Sequence, residues 1–302
     1  MQLQLFFRLA GSLLVSVLLL WVGWMPVFAA DAALPRLDSS LSTQGVNLSM
    51  RVLLQGPYVS TTGFMHDRLS QSGFIPRSQP FGGAPWNYDG TEQLLPESLD
   101  MSGQDSMVDW VLLELRAVQS PQTVAARRAA IVQRDGDVVE PATANVSINF
   151  PALAAGDYYV GVRHRNHLSV FSANGVSLSS SGTLVDFSSA ATAVRGEDTR
   201  VTSGGFRLLP AGDANRDNRL IAVGSGNDSN ILLASVLTAV GNTGYNSSYR
   251  LFGYVPGDFN LDGVALFAGP DNDLTLLLQN ILTNVSNINS AMNFIVSANS
   301  GF

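Results

Sequence analysis

Apolar and polar residues alternate in a series of short segments between residues 46 and 187, which predicts β-strands. Turns rich in glycine and serine separate the segments, and an Arg134-Asp135-Gly136-Asp137 turn joins two of them. Because no helical spacing alternates with the strands, the pattern favours an antiparallel sheet over parallel βαβ units. The predicted strand segments are 46 to 54, 108 to 116, 124 to 133, 138 to 150, 158 to 165, 171, 176 to 178 and 184 to 187.

A tyrosine-containing turn precedes the predicted strand at Tyr158. The stretch from Phe150 to Tyr159 resembles the corner of immunoglobulin-like and carboxypeptidase-regulatory-like domains, in which a tyrosine braces the turn into a core strand. The resemblance implies a mainly β fold, an antiparallel immunoglobulin-like β-sandwich, for this part of the chain.

A segment rich in proline and glycine interrupts the predicted strands between Gly63 and Gly103. Long segments of this kind are functional loops or mobile connections. Trp86, Asn87 and Tyr88 lie inside it. We interpret the aromatic side chains as anchors that pin the loop to the sheet, and a sugar-stacking platform is the alternative interpretation.

A helical spacing of apolar residues occurs in two segments that lie 45 residues apart in the last third of the sequence. Apolar side chains at intervals of three and four residues fall on one stripe of a short helix. Since neither helix could bury its stripe alone, the two helices are predicted to pack face to face as a small α-helical repeat pair. The equivalent positions are Leu232 and Leu277, Leu233 and Leu278, Val236 and Ile281, Leu237 and Leu282, and Val240 and Val285.

An acidic loop precedes each predicted helix, with oxygen-bearing side chains at positions 1, 3 and 5. This spacing folds three ligands around one hard cation, and the Asn or Gly at position 6 tolerates a left-handed turn. The repeat therefore predicts two calcium sites of EF-hand-like character. The side chains are Asp213, Asn215 and Asp217 in the first loop and Asp258, Asn260 and Asp262 in the second.

Both loops differ from the standard EF-hand at the closing position. Glycine replaces the bidentate glutamate of position 12, and the next acid stands at position 16, which is Asp228 or Asp273. Either a four-residue insertion returns this aspartate to the metal, or water completes a weaker site; in a third interpretation the aspartates are only helix N-caps. Position 7, where a backbone carbonyl would face the ion, is Arg219 or Val264.

The second loop is predicted to bind calcium more tightly than the first. It has Gly263 at the turn and a further acid, Asp271, nearby. The first loop instead has Asn218 at the turn and carries Arg216 and Arg219 beside its carboxylates. Positive charges next to the ligands oppose the binding of a cation.

The paired loops resemble the calcium-binding duplicated repeats of dockerins, small modules that dock secreted bacterial proteins onto scaffolds. A wider resemblance is carried by segments 52 to 58, 65 to 67, 108 to 116, 133 to 137 and 155 to 167. It is to bacterial secreted modules of the cell-surface, haemagglutinin-like kind, in which a β-domain precedes such a repeat pair, and it covers most of residues 48 to 285. The resemblance implies secretion or surface association and an extracellular or cell-surface protein as partner, with a glycan as the alternative.

The N-terminal segment has the features of a secretory signal peptide. Arg8 precedes an uncharged run from Leu9 to Ala29, and Val27 and Ala29 fit the small-x-small cleavage rule. An uncleaved membrane anchor is the alternative, because about 20 apolar residues suffice to span a bilayer. The predicted organisation is a signal peptide at 1–29, a linker at 30–45, a β-sandwich domain at 46–208, the calcium-loop and helix pair at 211–285 and a C-terminal tail at 286–302.

The composition agrees with export and argues against polyanionic partners. The chain has no cysteine, so a secreted form is stabilised by its core or by bound metal and not by disulfides. Its 17 basic residues, all arginine, face 24 acidic residues, and the net charge is −7. This is the wrong sign for nucleic acid or an anionic membrane, and it favours cations.

No established catalytic motif occurs in the sequence, which lacks a nucleophile elbow, a P-loop and a dinucleotide-binding fingerprint. His164 and His167 are interpreted as polar turn residues, and a zinc-binding pair completed by an aspartate is the alternative. The predicted function is that of a secreted, non-catalytic, calcium-binding surface protein that mediates attachment or protein–protein interaction. An adhesin or carbohydrate-binding module is the first alternative, and a secreted hydrolase using scattered acids such as Glu92, Glu97 and Asp100 is the second.

Overall fold

The computed structural model describes residues 45 to 196, 199 to 298 and 301. The predicted signal peptide, and all but the last residue of the predicted linker, lie outside the described residues. The described residues belong to one compact unit. No helix among them has the length and apolar character needed to cross a membrane.

Strands dominate the region before residue 209, as the alternation of apolar and polar residues predicts. Strands β5 and β10 have the predicted bounds, whereas the predicted segment 138 to 150 divides into β6 and β7. Two short helices, α1 (Arg68–Gln71) and α2 (Pro96–Leu99), and a 3₁₀ turn (Gly103–Asp105) lie between the strands. The strands are β1 Val46–Arg51, β2 Tyr58–Val59, β3 Phe64–Met65, β4 Met107–Ala117, β5 Val124–Gln133, β6 Asp137–Val139, β7 Ile148–Phe150, β8 Gly156–Arg163, β9 Val170–Phe171, β10 Val176–Leu178, β11 Thr183–Asp186, β12 Val201–Ser203 and β13 Phe206–Leu208.

Nine of these strands form one sheet in the order β10-β8-β4-β5-β6-β1-β11, with β7 beside β1 and β9 beside β8. Among the described strands of this sheet, only β1 and β11 pair in parallel. Strand β10 also approaches β1, so the sheet folds back on itself as in a β-sandwich. The central strand β4 is buried at every position except Ala117. The predicted mainly β, antiparallel fold class is confirmed.

Tyr158 braces the turn that leads into β8. Its hydroxyl donates a hydrogen bond to the carbonyl oxygen of Ala154 at 2.8 Å, and its side chain is largely buried. This contact is the tyrosine corner that the sequence resemblance implies.

The segment between Gly63 and Gly103 is anchored to the sheet by aromatic side chains. Phe81 and Trp86 are buried and pack edge to face, with ring centroids 5.1 Å apart. The indole N–H of Trp110, on β4, donates to the Pro76 carbonyl oxygen at 2.8 Å, and Arg127 donates to the Trp86 carbonyl oxygen at 2.9 Å. The interpretation of these residues as anchors is confirmed, and Trp86, 7% exposed, presents no free ring face for sugar stacking.

The region after residue 209 follows the predicted loop-then-helix repeat. Helix α3 spans Asp228–Leu237 and helix α4 spans Leu274–Leu282. Four short strands accompany them: β14 Arg219–Ile221, β15 Leu251–Phe252, β16 Val264–Ala265 and β17 Ile295–Ser297. Strand β17 lies in the segment predicted as a C-terminal tail, so the repeat continues beyond its predicted end.

The apolar stripe of each helix is buried at its centre. The buried residues belong to a second hydrophobic core, separate from the core of the large sheet. The prediction that Val240 and Val285 belong to the stripe is wrong, because both helices end before these residues and both valine side chains are exposed. The buried stripe residues are Leu232 and Val236 in α3 and Leu277 and Ile281 in α4.

Each repeat pairs a strand of its acidic loop with a strand of the other repeat. Strand β14, in the first acidic loop, pairs with β17 from the end of the second repeat, and β16, in the second loop, pairs with β15 from the end of the first. The partners Leu220 with Val296 and Ala265 with Leu251 occupy equivalent positions, 45 residues apart. Each loop is therefore completed by the other repeat.

The glycine that precedes each loop contacts the helix of the other repeat. A Cβ atom on Gly212 would lie 2.9 Å from Leu277 Cδ1, and one on Gly257 would lie 2.8 Å from Leu232 Cδ1. A side chain at either position would displace the opposite leucine. These reciprocal contacts give the repeat pair an internal twofold arrangement.

Replacing Tyr158 by phenylalanine removes the hydroxyl that braces β8 and keeps the ring. We expect Tyr158→Phe to lower the free energy of unfolding by about 0.5–1.5 kcal/mol, the net value of a typical hydrogen bond. Chemical denaturation of the two proteins measures the difference. The matched control is Tyr245→Phe, whose ring is exposed, and an equal loss in both variants would contradict the bracing role.

Candidate metal centre

The side chains of the first acidic loop fold inward onto the backbone of the same loop. The two carboxylate oxygens of Asp213 accept hydrogen bonds from the N–H groups of Asp217 and Asn218, both at 3.0 Å. The side-chain oxygen of Asn215 accepts from the same Asp217 N–H at 3.0 Å, and Asp217 accepts from the Arg219 N–H at 2.9 Å. The oxygens of positions 1 and 3 therefore converge on one backbone group.

The second loop repeats these hydrogen bonds at nearly the same lengths. Asp258 accepts from the N–H groups of Asp262 and Gly263, both at 3.0 Å. Asn260 accepts from the Asp262 N–H at 2.9 Å, and Asp262 accepts from the Val264 N–H at 2.9 Å. The predicted ligands of positions 1, 3 and 5 are thus brought together in both loops, and the position-7 residues Arg219 and Val264 begin β14 and β16.

The aspartate at position 16 returns to its own loop in both repeats, and it accepts three backbone hydrogen bonds there. Asn227, and not Asp228, is the N-cap of α3, and its side chain accepts a bond from the Asn230 N–H. Asp273 occupies the N-cap position of α4, but its side chain makes no capping bond, so the interpretation that these aspartate side chains only cap the helices is wrong. The donors are Ala214 (2.8 Å), Asn215 (3.3 Å) and Ile221 (2.9 Å) for Asp228, and Phe259 (2.7 Å), Asn260 (3.2 Å) and Leu266 (2.9 Å) for Asp273.

Each loop therefore encloses two buried carboxylates. Burial raises the pKa of Asp213, and the neighbouring Asp228 raises it further, while burial raises the pKa of Asp228 itself to about 7. In the second loop burial raises the pKa of Asp258 to about 7, and burial together with Asp258 raises that of Asp273 to about 8. Two negative charges in one buried site are unfavourable unless a cation or a proton compensates them.

The turn at position 6 has the predicted left-handed backbone in both loops. The φ angle is +63° at Asn218 and +86° at Gly263. Asparagine tolerates this region because its short side chain bonds locally, and here the Asn218 side-chain oxygen accepts from the Ser169 hydroxyl at 2.6 Å.

The donor set fits calcium better than a softer metal. Carboxylate and amide oxygens suit hard cations, and neither loop contains cysteine or histidine. Each carboxylate oxygen of Asp213 and Asp258 accepts one of these hydrogen bonds and retains a further lone pair. Within the part of the chain that the structure describes, no cluster of three or more His, Cys, Asp or Glu side chains has the arrangement of a metal site. The predicted calcium sites remain a prediction.

The second loop also contacts a buried ionic network of the β-domain, which the sequence analysis does not anticipate. Asp109, on β4, accepts hydrogen bonds from Arg165 at 2.9 Å and from the Tyr254 hydroxyl at 2.7 Å. Burial alone would raise the pKa of Asp109. The positive charge of Arg165 and the hydrogen bonds from His164 and Tyr254 outweigh burial and lower the pKa to about 2. The guanidinium also donates to the Val255 carbonyl oxygen. Arg165 is therefore a structural cation between sheet and loop.

His164 and His167 meet at the turn after β8, where they are predicted as polar turn residues, and both side chains are buried. Their Nδ1 atoms lie 3.0 Å apart, and His164 Nε2 lies 3.2 Å from Asp109. Burial lowers the pKa of both rings, which keeps them neutral. Nε2 of His167 accepts from the Gly56 N–H at 3.1 Å. The pair serves packing at the domain contact.

Comparison with known proteins gives little further information. No family model matches the chain, and no curated protein matches it. Among solved structures, the chain is similar to one chain of a type II cohesin–X-dockerin complex from Acetivibrio cellulolyticus, a C-terminal interface mutant, with 13% identity and a TM-score of 0.32. The match covers 78% of this chain and 95% of that chain. A TM-score this low does not establish a shared fold.

The buried carboxylates predict a loss of stability with rising pH in the absence of calcium. Asp228, Asp258 and Asp273 have folded-state pKa values of about 7, 7 and 8, above the usual 3.8. Their contribution to stability is fully present below pH 3.8 and is lost as pH rises through the folded-state values. Denaturant unfolding in chelator should therefore give a free energy of unfolding that falls as pH rises from about 6.5 to about 8.5.

In this pH range the buried aspartates titrate and the histidines do not. The three histidines have lowered pKa values, so they titrate at lower pH. Asp273→Asn should flatten part of the slope, whereas Asp271→Asn, a change at an exposed residue of the same turn, should leave it unchanged. A free energy of unfolding that stays constant or rises across the window would contradict the raised carboxylate pKa values.

Proposed function

We propose that this chain is a secreted, non-catalytic surface protein whose C-terminal repeat pair binds calcium and whose role is attachment to an extracellular or cell-surface protein. The observation that carries the proposal is the identity of the hydrogen-bond pattern in the two acidic loops. A chance cluster of Asx-turns would not also bring a buried aspartate back to each loop from the following helix.

Calcium would compensate the paired carboxylates of each loop. Asp213, Asn215, Asp217 and Asp228 would hold the ion in the first loop, with the Arg219 carbonyl as a backbone ligand. Asp258, Asn260, Asp262 and Asp273, with the Val264 carbonyl, would do so in the second. Because the ligands come from separated parts of the chain, binding and folding are linked in this region.

The arrangement of the other buried acids supports a non-catalytic role. Glu114 is fully buried and bound by Arg116, Arg127 and Arg163, at 2.7, 2.8 and 2.9 Å. Asp109 is likewise enclosed. Both carboxylates are engaged in structural ion pairs and have no access to a substrate.

Exposed apolar side chains at equivalent places in the two repeats support a contact surface for a protein partner. Val240 and Val285 lie three residues beyond the ends of α3 and α4 and are 101% and 85% exposed. Ile288 and Tyr245 are also exposed, at 88% and 74%. Contiguous exposed apolar surface marks protein interaction sites, and the proposal assigns these side chains to such a surface.

Calcium should stabilise the protein. At a concentration about 100 times the dissociation constant we expect a gain of about 2.7 kcal/mol in the free energy of unfolding, reversed by chelator. Thermal and denaturant unfolding measure the gain, with magnesium at the same concentration as the control for ionic strength. Identical unfolding curves in calcium and in chelator would refute the calcium-binding part of the proposal.

The exposed valines should be needed for attachment and should not be needed for folding of the protein. We expect the double variant Val240→Asp, Val285→Asp to retain the calcium-induced stabilisation and to lose association with the producing cells, measured as the fraction of secreted protein that sediments with them. The matched control is Val223→Asp, an exposed valine of the first loop. Unchanged association of the double variant would remove this surface from the proposal.

A further inference from the structure

The two acidic loops have the same internal hydrogen bonds but opposite surroundings. Arg165 Nη2 lies 3.8 Å from Asp258 Oδ2 in the second loop, and Arg68 Nη1 lies 3.9 Å from Asp262 Oδ2. Both arginines come from the β-domain. Two of the second loop's proposed calcium ligands therefore already have a protein cation beside them.

Arg165 is placed to act on the second loop directly. It is buried, and its Nη2 atom has no hydrogen-bond partner in the described part of the chain. Its Nε atom is held by Asp109 and its plane lies over the Tyr254 ring, with Cζ 4.2 Å from the centroid. The remaining nitrogen is thus fixed toward Asp258.

The first loop has no such cation. Among the ion pairs of the described residues, none includes Asp213, Asp217 or Asp228. Arg216 lies inside the first loop and is within electrostatic range of Asp213, but it forms none of these ion pairs. Its Cζ instead lies 5.0 Å from the Trp86 ring centroid, and its Nη1 donates to the Ala84 carbonyl oxygen at 3.3 Å.

The first acidic loop is also more exposed to solvent than the second. Asp217 and Arg219 of the first loop are exposed, whereas the side chain of Asp262 in the second loop is only 11% exposed. Gly263 is buried against Phe74, since a Cβ atom there would lie 2.9 Å from the Phe74 ring. The rim of the first loop is therefore more exposed to solvent than that of the second, which packs against Phe74 of the β-domain.

We propose that the first loop is the calcium-responsive site, and that Arg165 and Arg68 offset part of the negative charge on Asp258 and Asp262 and so weaken the affinity of the second loop for calcium. This inference rests on the proposed function, because it assigns calcium to one of the two proposed loops. It reverses the ranking predicted from sequence. That ranking rested on Gly263 and Asp271 in the second loop and on Arg216 and Arg219 beside the first loop's carboxylates. Among the ion pairs of the described residues, neither Arg216 nor Arg219 pairs with those carboxylates, whereas the second loop has two such contacts from the β-domain.

Calorimetric titration of the full chain with calcium chloride, with matched loop variants, tests the inference. Asp213→Asn should weaken the tightest site about tenfold or more, and Asp258→Asn should weaken it less than about threefold. Asp217→Asn and Asp262→Asn repeat the comparison at less buried positions, which guards against unfolding of the buried variants. A greater loss from Asp258→Asn and Asp262→Asn would overturn the inference.

The exposed arginine gives an independent arm. The Arg68 side chain is 60% exposed, so Arg68→Gln is compatible with folding. It should tighten the weaker site about twofold to fivefold by removing a positive charge near Asp262, whereas the control Arg77→Gln, at another exposed arginine, should not. An unchanged weaker site in Arg68→Gln would overturn the role of Arg68. Absence of calcium binding to the unaltered protein would overturn the proposed function itself, and this outcome is distinct from a reversed ranking.

Discussion

The C-terminal third of this molecule depends on two buried aspartates, each of which returns from the start of a helix to the acidic loop before it. Asp228 and Asp273 each bind three backbone N–H groups, which fixes the loop and the first turn of the helix as one piece. Buried backbone groups need such partners. The cost is a pair of carboxylates in a site with little water, and a cation or a proton must offset it.

The same need for compensation explains why the second loop is joined so closely to the β-domain. Asp109 holds Arg165 on the sheet side, and Arg165 in turn lies beside Asp258. Removing one partner from a buried pair leaves an uncompensated charge, which is strongly destabilising. The sheet and the repeat pair have separate apolar cores. They are connected by the buried charges of Asp109, Arg165 and Asp258.

Sequence patterns predict the local features well, because those features depend on neighbours in the chain. Alternation located the strands, with β5 at its observed bounds, and loop spacing placed Asp213, Asn215 and Asp217 together. These local patterns do not predict tertiary contacts between residues distant in sequence. Arg216 lies inside the first loop but stacks on Trp86, and Arg165 lies far away in sequence but comes close to Asp258. Periodicity also could not show where each helix ends, since Val240 fits the stripe yet lies past the last turn.

The exchange of strands between the repeats has a consequence for how the molecule folds. Strand β14 closes the first loop only by pairing with β17, so the first loop waits for residues near the end of the chain. The second loop needs only β15, which lies just before it. Contacts between residues distant in sequence form slowly. As the chain emerges during synthesis, the second loop can therefore assemble before the first, although it comes later in the sequence.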